Sequence, residues 1–293
     1  MRKTQSISAK PPWLKRRLPT GPAYEAVRSL LKKGGLHTVC QEAQCPNLWE
    51  CFSEHTATFL IMGDRCTRNC RFCAVAHGPT GPPDVGEPEK VAQAVDQLGL
   101  NYVVITSVTR DDLSDGGAAC FAAAIRAVRA RCPETLIEVL IPDLQGDAGA
   151  LEDVLAARPN ILNHNIETVP RLYSTVRPEA DYKRSLQLLQ RANGTRPEIP
   201  TKSGLMLGLG ETADEIEQTL ADLHATGCRI LTLGQYLQPS KQHLPVKRFV
   251  PPEEFDDWRA KAQKIGFVEI ASGPFVRSSY HAKELFERHN AHR

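Results

Sequence analysis

From Thr56 onward, apolar runs of strand length alternate with segments of helical periodicity. The predicted strands are residues 57–63, 102–108, 136–141, 161–166, 204–209, 229–233 and 268–271. The predicted helices are residues 87–98, 118–131, 148–157, 182–192, 213–225 and 252–265. The run beginning at Tyr102 is apolar on both faces, as buried parallel strands are. This alternation predicts a parallel sheet with right-handed crossovers.

Strand–helix units of roughly 30–40 residues recur about six times, which is too few for a closed eight-stranded barrel. We therefore expect an α/β fold, an open, partial (β/α)6 TIM-type barrel, although periodicity alone does not separate it from a doubly wound sheet. We expect three parts, an N-terminal cysteine-bearing extension (1–55), the barrel (56–271) and a C-terminal segment (272–293). Thr212 and Glu215 have the spacing of a capping box, and Gly227 follows that helix.

Composition narrows the function classes. The chain has 293 residues, 41% hydrophobic and 24% charged, as is ordinary for a soluble enzyme. A net charge of +2 and 6% aromatic residues give no sign of nucleic-acid binding. Neither a signal peptide nor a membrane span is predicted. An odd number of cysteines, nine, indicates a reducing cytoplasm rather than a secreted disulfide scaffold.

The first twenty residues carry positive charge and no acid. The basic residues are Arg2, Lys3, Lys10, Lys15, Arg16 and Arg17. They form either a solvated arm or a docking site for an acidic protein partner, and the sequence leaves both open.

Six of the nine cysteines form two triplets, Cys40/Cys45/Cys51 and Cys66/Cys70/Cys73. The second triplet lies in the loop after the first barrel strand, where parallel α/β folds build active sites. A cubane iron–sulfur cluster takes four thiolates, so three leave one iron open. A structural zinc site completed by a histidine such as His77 is the alternative, but such sites usually pair cysteines as C-x2-C. The remaining cysteines, Cys120, Cys132 and Cys228, are expected to be small buried hydrophobes.

The C-x3-C-x2-C spacing of the second triplet, with Phe72 before its last cysteine, resembles the radical S-adenosylmethionine (SAM) superfamily. The first triplet, C-x4-C-x5-C, resembles the auxiliary-cluster motif of the lipoyl synthase family within it. Further segments resemble that family in order and spacing: residues 106–113, 163–167, 202–211 and the Arg-Ser-Ser-Tyr run at 277–280.

The resemblance implies two [4Fe–4S] clusters and SAM. Cys66, Cys70 and Cys73 would hold a catalytic cluster whose open iron chelates SAM. The other implied cofactor contacts are Phe72 at the adenine, Thr106 and Ser107 near the methionyl group, Asn163, Asn165 and Glu167 near the ribose, and Met206 and Glu211 on the adenine-side strand. From the residues alone, a strand-end Asn or Glu is equally often a loop cap. For Arg177 and Lys202 the sequence leaves two roles open: pairing with a carboxylate of the cofactor or substrate, or forming surface ion pairs.

The resemblance also implies that Cys40, Cys45 and Cys51 hold an auxiliary cluster with Ser279 as its oxygen ligand. Ser278 is the neighbouring candidate. The residues alone would favour both serines as caps of the final helix, and the family match reverses that interpretation. A weakly bound oxygen ligand suits a cluster that is taken apart during turnover.

The implied activity is that of a sulfurtransferase of lipoate biosynthesis, which inserts sulfur from the auxiliary cluster at C6 and C8 of a protein-bound octanoyl chain. The implied partners are octanoylated lipoyl domains of 2-oxoacid dehydrogenase E2 subunits and the glycine cleavage H protein, a flavodoxin or ferredoxin-type reductant, and an iron–sulfur carrier protein. The alternatives are another sulfur-inserting radical enzyme, resembling biotin synthase or a methylthiotransferase, and a non-catalytic iron–sulfur electron carrier.

Overall fold

The computed structural model describes residues 10–15, 22–43, 45, 47, 51, 58–279 and 282–291. The strands are β1 (His37–Thr38), β2 (Thr58–Ile61), β3 (Arg65–Cys66), β4 (Ala76–His77), β5 (Tyr102–Ser107), β6 (Leu136–Leu140), β7 (Ile161–Asn163), β8 (Thr201–Leu207), β9 (Ile230–Gln235) and β10 (Glu269–Gly273). The α-helices are α1 (Pro22–Gly34), α2 (Val39–Glu42), α3 (Glu87–Gln97), α4 (Ala118–Arg131), α5 (Ala148–Ala156), α6 (Tyr173–Val176), α7 (Tyr182–Thr195), α8 (Ala213–Ala225), α9 (Pro252–Ile265) and α10 (Ala282–Ala291).

The main sheet has the strand order β1-β2-β5-β6-β7-β8-β9-β10. Every neighbouring pair from β2 to β10 is parallel. The predicted open, partial barrel is therefore confirmed, with β10 as a further parallel strand at one edge. At the other edge β1 pairs antiparallel with β2, so the N-terminal extension supplies an edge strand to the barrel.

The helices match the predicted periodicity closely. Helix α4 begins and ends at the predicted residues, as do α8 and α9. The predicted capping box of α8 is present: Thr212 Oγ1 accepts a hydrogen bond from Glu215 N at 3.3 Å, and Glu215 Oε2 accepts one from Thr212 N at 2.8 Å. Of the described helices, none is long and apolar enough to span a membrane.

Strand β8 begins at Thr201, three residues before the predicted start, because its first residues are polar yet buried. Lys202 explains why. Its ammonium contacts both carboxylate oxygens of Glu138 on β6, at 3.0 and 3.1 Å, and both side chains are wholly buried. Tyr102 Oη on β5 (2.6 Å) and Asn163 Nδ2 on β7 (2.8 Å) donate to the same carboxylate. Side chains from four strands thus meet inside the barrel. Lys202 therefore takes neither of the two roles that the sequence left open, a contact with a ligand carboxylate or a surface ion pair.

Helix α10 closes the amino-terminal end of the barrel. Ala282 and Phe286 pack in one buried cluster with Tyr102, Val104, Ile161 and Ile230, which lie at or near the starts of β5, β7 and β9. The rings of Tyr102 and Phe286 lie 6.3 Å apart. Ligand access is therefore left to the opposite, carboxyl-terminal end.

Of the lone cysteines, Cys228 is buried as predicted, whereas Cys120 and Cys132 are only half-buried.

Candidate active site

A cavity of about 580 Å³ opens at the carboxyl-terminal ends of the barrel strands. All six cysteines of the two triplets line it: Cys40, Cys45, Cys51, Cys66, Cys70 and Cys73. These six are thiols rather than disulfides. Both triplets therefore face one space, although the sequence separates them by the whole of β2. Within the described ranges, no three histidine, cysteine or carboxylate side chains already stand close enough to share a single metal ion.

The loop of the second triplet is fastened to the loop after β5. Thr67 N and Thr67 Oγ1 both donate to the carbonyl of Thr109, each at 3.0 Å. Cys66 Sγ accepts hydrogen bonds from Thr109 N at 3.3 Å and from Arg68 N at 3.4 Å. Backbone donors aimed at a cluster-ligand sulfur are among the means by which proteins tune an iron–sulfur centre.

Arg68, between Cys66 and Cys70, binds two carboxylates at once. Its guanidinium contacts both oxygens of Asp111 (2.6 and 2.9 Å) and both oxygens of Asp143 (2.6 and 3.0 Å). Arg68 is 6% exposed and Asp143 is 1% exposed. Bidentate, charge-assisted pairs of this kind fix orientation as well as adding stability. The cysteine loop is therefore held rigidly against the ends of β5 and β6.

Burial suppresses ionisation of three of the triplet thiols, Cys40, Cys70 and Cys73, by raising their pKa. It raises the pKa of Cys73 to about 12, and the pKa of Cys70 to about 11 against the opposing charge of Arg177. Burial and then repulsion from Cys45 raise the pKa of Cys40 to about 12, while hydrogen bonds from Thr58 act in the opposite direction. At neutral pH these three thiols stay protonated unless binding of a metal centre displaces their protons.

The chain after β7 brings the polar side chains of His164, Asn165 and Glu167 to the cavity. Asn165 Nδ2 donates to Glu167 Oε1 at 3.0 Å and to Ser278 Oγ at 2.5 Å. Burial raises the pKa of Glu167, against the attraction of Arg177. Glu167 has a φ of +65°, in the left-handed region that side chains rarely adopt. Such strain, of about 1–3 kcal/mol, tends to accumulate where function requires a particular geometry.

Arg177 lines the cavity but is not a surface residue. Its Nη1 donates to the carbonyls of Asn165 (3.0 Å) and Ile166 (3.2 Å), and its guanidinium lies 5.3 Å from the ring centre of Tyr173. At 8% exposure it is buried, so the surface-pair alternative is wrong. Its hydrogen bonds hold the backbone that presents Asn165.

The other predicted contacts divide into two groups. Phe72, Thr106, Ser107 and Met206 line the cavity. Asn163 and Glu211 do not lie among its lining residues. Asn163 bonds to Glu138 beneath the cavity, and Glu211 accepts hydrogen bonds from the backbone of Gly208 and Leu209.

Four residues that line the cavity carry a buried polar atom with no hydrogen-bond partner among the described residues: Ser107 Oγ, His164 Nε2, Asn165 Oδ1 and Arg177 Nε. Gly204 lies beside Asn165. A Cβ at this position would come within 2.3 Å of Thr232 Oγ1 and 3.1 Å of Asn165 Oδ1. Glycine is therefore required here, because no side chain fits in the space. The cavity therefore suits a polar cofactor beside a metal centre that is held by cysteine sulfurs. It offers unsatisfied polar atoms, a position where only glycine fits, and soft thiol ligands.

The first triplet meets the C-terminal segment through two residues that sequence reasoning missed. Thr58 Oγ1 donates to Ser279 Oγ at 2.9 Å, and Asn47 Nδ2 donates to the carbonyl of Phe275 at 2.7 Å. Both donors are buried, Thr58 at 5% and Asn47 at 1% exposure. The only signal in the sequence was a threonine opening an apolar strand and an asparagine inside the triplet. Ser279 thus contacts Thr58 at the start of β2, whereas Ser278 contacts Asn165.

Two family models match parts of this chain. The family model of the radical SAM superfamily matches residues 60–223, and the model of the N-terminal domain of lipoyl synthase matches residues 1–45. A lipoyl synthase from Desulfotalea psychrophila is 62% identical over 95% of this chain and 93% of its own length. One from Methylococcus capsulatus is 58% identical over 94% and 86%, respectively.

Among solved structures, methylornithine synthase covers 77% of this chain and 67% of its own, with a TM-score of 0.53 and 15% identity. Coproporphyrinogen III oxidase from Escherichia coli, a radical SAM enzyme, covers 76% and 56%, with a TM-score of 0.51 and 14% identity. At these identities the likeness concerns the fold alone.

Proposed function

The chain belongs to the lipoyl synthase family of the radical SAM superfamily, and we propose that its cavity inserts two sulfur atoms into a protein-bound octanoyl chain, at C6 and C8. It is a sulfur-inserting enzyme that uses SAM and a [4Fe–4S] cluster. The observation that carries the proposal is the convergence of both cysteine triplets on one cavity, with Ser279 bonded beside the first.

For the catalytic cluster we propose Cys66, Cys70 and Cys73 as ligands. When bound, the cluster and SAM supply a radical able to remove hydrogen from an unactivated C–H bond. The protein's own contribution is positioning. The Arg68 clamp fixes the ligand loop. The unsatisfied oxygens of Ser107 and Asn165 are suited to accept hydrogen bonds from the cofactor.

For a second, auxiliary cluster we propose Cys40, Cys45 and Cys51, with Ser279 as the oxygen ligand. The contact of Ser279 with Thr58 supports Ser279, because Thr58 also reaches Cys40. Ser278 is engaged instead by Asn165 on the cofactor side. Iron prefers soft thiolates to a serine oxygen, so this ligand would leave readily when sulfur is taken from the cluster.

For the remaining cofactor contacts we propose Phe72, Thr106, Glu167 and Met206 at the cavity wall. Asn163 and Glu211, which the family resemblance also implied, would act from outside the cavity, Asn163 through its hydrogen bond to the Glu138 carboxylate and Glu211 by holding the backbone of Gly208 and Leu209. Thr106 Oγ1 donates to the carbonyl of Leu140 at 2.8 Å, which leaves its lone pairs available to a ligand.

The substrates we propose are octanoylated lipoyl domains, of 2-oxoacid dehydrogenase E2 subunits and of glycine cleavage H protein. A flavodoxin or ferredoxin-type protein would supply electrons, and an iron–sulfur carrier would rebuild the auxiliary cluster. Lys10, an exposed basic residue that lines the cavity, supports an acidic docking partner. A cytoplasmic location and the three-part division at 1–55, 56–271 and 272–293 remain proposals.

The test uses anaerobically reconstituted protein, an octanoylated lipoyl-domain peptide and a reductant. Mass spectrometry should show the gain of two sulfurs, and the protein should hold about eight iron and eight sulfide ions if both clusters are cubanes. Cys45→Ala should keep reductive SAM cleavage and lose sulfur insertion, whereas Cys70→Ala should lose both. An unchanged peptide mass, or a zinc-only protein, would remove the proposal.

Adjacent serines offer a matched pair of variants for the oxygen ligand. Ser279→Ala should impair sulfur insertion more than Ser278→Ala does, because Thr58 holds Ser279 against the first triplet. The reverse ranking would move the ligand by one residue.

A further inference from the structure

Thr58 stands between the first triplet and the C-terminal segment. Its hydroxyl donates to Ser279 Oγ at 2.9 Å, and Thr58 lines the same cavity as Cys40. As the first residue of β2, it lies on a strand held on both sides by β1 and β5. A residue on a rigid strand keeps its side chain in a fixed place.

A second hydrogen bond ties the same segment down. The side chain of Asn47 donates to the carbonyl of Phe275, four residues before Ser279. The carbonyl of Asn47 in turn accepts a hydrogen bond from Cys51 N at 3.0 Å. The C-terminal segment is therefore fastened twice to the neighbourhood of the first triplet, at Phe275 and at Ser279.

We propose that Thr58 is a positioning residue that holds Ser279 as the oxygen ligand of the cluster at the first triplet, with Asn47 securing the same segment. This inference rests on the proposed function, in which Ser279 is that ligand. A hydroxyl that donates to the serine oxygen occupies one of its lone pairs and leaves another for iron. It also keeps the oxygen in place after the iron departs, so that the ligand returns when the cluster is rebuilt.

The test compares Thr58→Val, which keeps the shape but removes the donor, with Thr58→Ser, which keeps the hydroxyl. Thr219→Val is the matched control, because Thr219 is a buried threonine whose hydroxyl bonds to Glu215 O on α8, away from the cavity. The full chain is reconstituted with iron-57, and a chelator is added. Mössbauer spectra then follow loss of iron from each cluster.

Thr58→Val should lose the auxiliary-cluster iron about 10–100-fold faster than wild type, in line with the loss of metal affinity that follows removal of a partner of a metal ligand. Ser279→Ala should match it, whereas Thr58→Ser and Thr219→Val should resemble wild type. Hydrogen exchange at the amides of residues 275–279 should accelerate in Thr58→Val and not in Thr219→Val. If Thr58→Val does not fold, Asn47→Ala, which removes the second tether, should show the same acceleration of exchange and of iron loss.

A wild-type rate of iron loss in Thr58→Val, together with rapid loss in Ser279→Ala, would overturn the role of Thr58 and leave the serine ligand standing. A wild-type rate in Ser279→Ala would overturn the serine ligand, and the role of Thr58 with it. Equal acceleration at both clusters in Thr58→Val would also overturn the inference, because a general loosening of the barrel would then be the cause.

Discussion

The wholly buried ion pair inside the barrel gives a sharp prediction for Lys202→Met. Methionine fills a similar volume but removes the ammonium that lies 3.0 and 3.1 Å from the two oxygens of Glu138. Among the described residues, the carboxylate then keeps two neutral donors, Tyr102 and Asn163. A buried charge that has lost its counter-charge destabilises the folded state strongly, because water cannot replace the missing partner.

The size of the effect follows from the distance and the burial. At 3.0 Å and an effective dielectric constant of 20, the attraction amounts to about 5.5 kcal/mol. The donors that remain offset part of this, so we expect a loss of about 3–5 kcal/mol in the free energy of unfolding, the range measured for broken buried pairs. For a chain of 293 residues this corresponds to a fall of roughly 5–8 °C in the thermal midpoint. Calorimetry at one fixed scan rate, under anaerobic conditions, measures it.

Two controls separate the pair from general effects. Adding Glu138→Gln to Lys202→Met removes the isolated charge and should recover at least half of the lost stability. Lys90→Met breaks an exposed pair with Asp84 at 2.8 Å and should leave the midpoint unchanged, because solvent screens that pair. A Lys202→Met midpoint within 1 °C of wild type, or a double variant no better than the single one, would refute the reasoning.

Two further predictions concern the cavity. Burial and the charge of Arg177 lower the pKa of His164 from 6.5 to about 4. Between pH 4 and pH 6.5, the unfolded chain therefore binds a proton at His164 that the folded chain does not bind. This contribution to stability is present above pH 6.5 and is lost as the pH falls towards 4, by up to about 3 kcal/mol. His164→Gln should flatten the pH dependence of urea unfolding in that window, and an unchanged profile would contradict it. Gly234→Ala should impair sulfur insertion while SAM cleavage persists, because the added Cβ would lie 2.1 Å from the carbonyl oxygen of Val276. Gly194→Ala is the control and should leave both activities unchanged, because its Cβ would meet nothing within 4 Å. Equal loss of both activities in Gly234→Ala would contradict the prediction.

Periodicity predicted the barrel well because its helices are amphipathic and its strands are mostly apolar. Helices α4 and α9, for example, begin and end at the predicted residues. It failed at the start of β8, where Lys202 looks like a loop residue. The side chain is buried only because Glu138, sixty-four positions earlier, supplies the opposite charge. No local pattern carries information about a partner that the topology brings together.

Local sequence patterns also missed those residues of the candidate site whose partners are distant in the chain. Cysteine spacing identified both triplets, because the residues proposed to bind one centre lie close in sequence. It did not reveal Thr58 or Asn47, whose partners lie 221 and 228 residues away. Arg68 was passed over as well, since its two carboxylates come from loops after different strands. Residues that position ligands, unlike the ligands themselves, have no spacing rule.

The two neighbouring serines join the halves of the cavity. Ser279 is held by Thr58 beside the first triplet, and Ser278 accepts a hydrogen bond from Asn165, which also donates to Glu167 on the cofactor side. Adjacent Cα atoms are separated by only about 3.8 Å, so a shift of one serine moves the other. Release of Ser279 would therefore disturb Asn165 as well, unless the bond to Thr58 keeps the segment in place. In the function proposed above, the hydrogen bond from Thr58 would persist after the bond between iron and Ser279 is broken, so the auxiliary cluster could be taken apart while the neighbouring cofactor contacts stay in place.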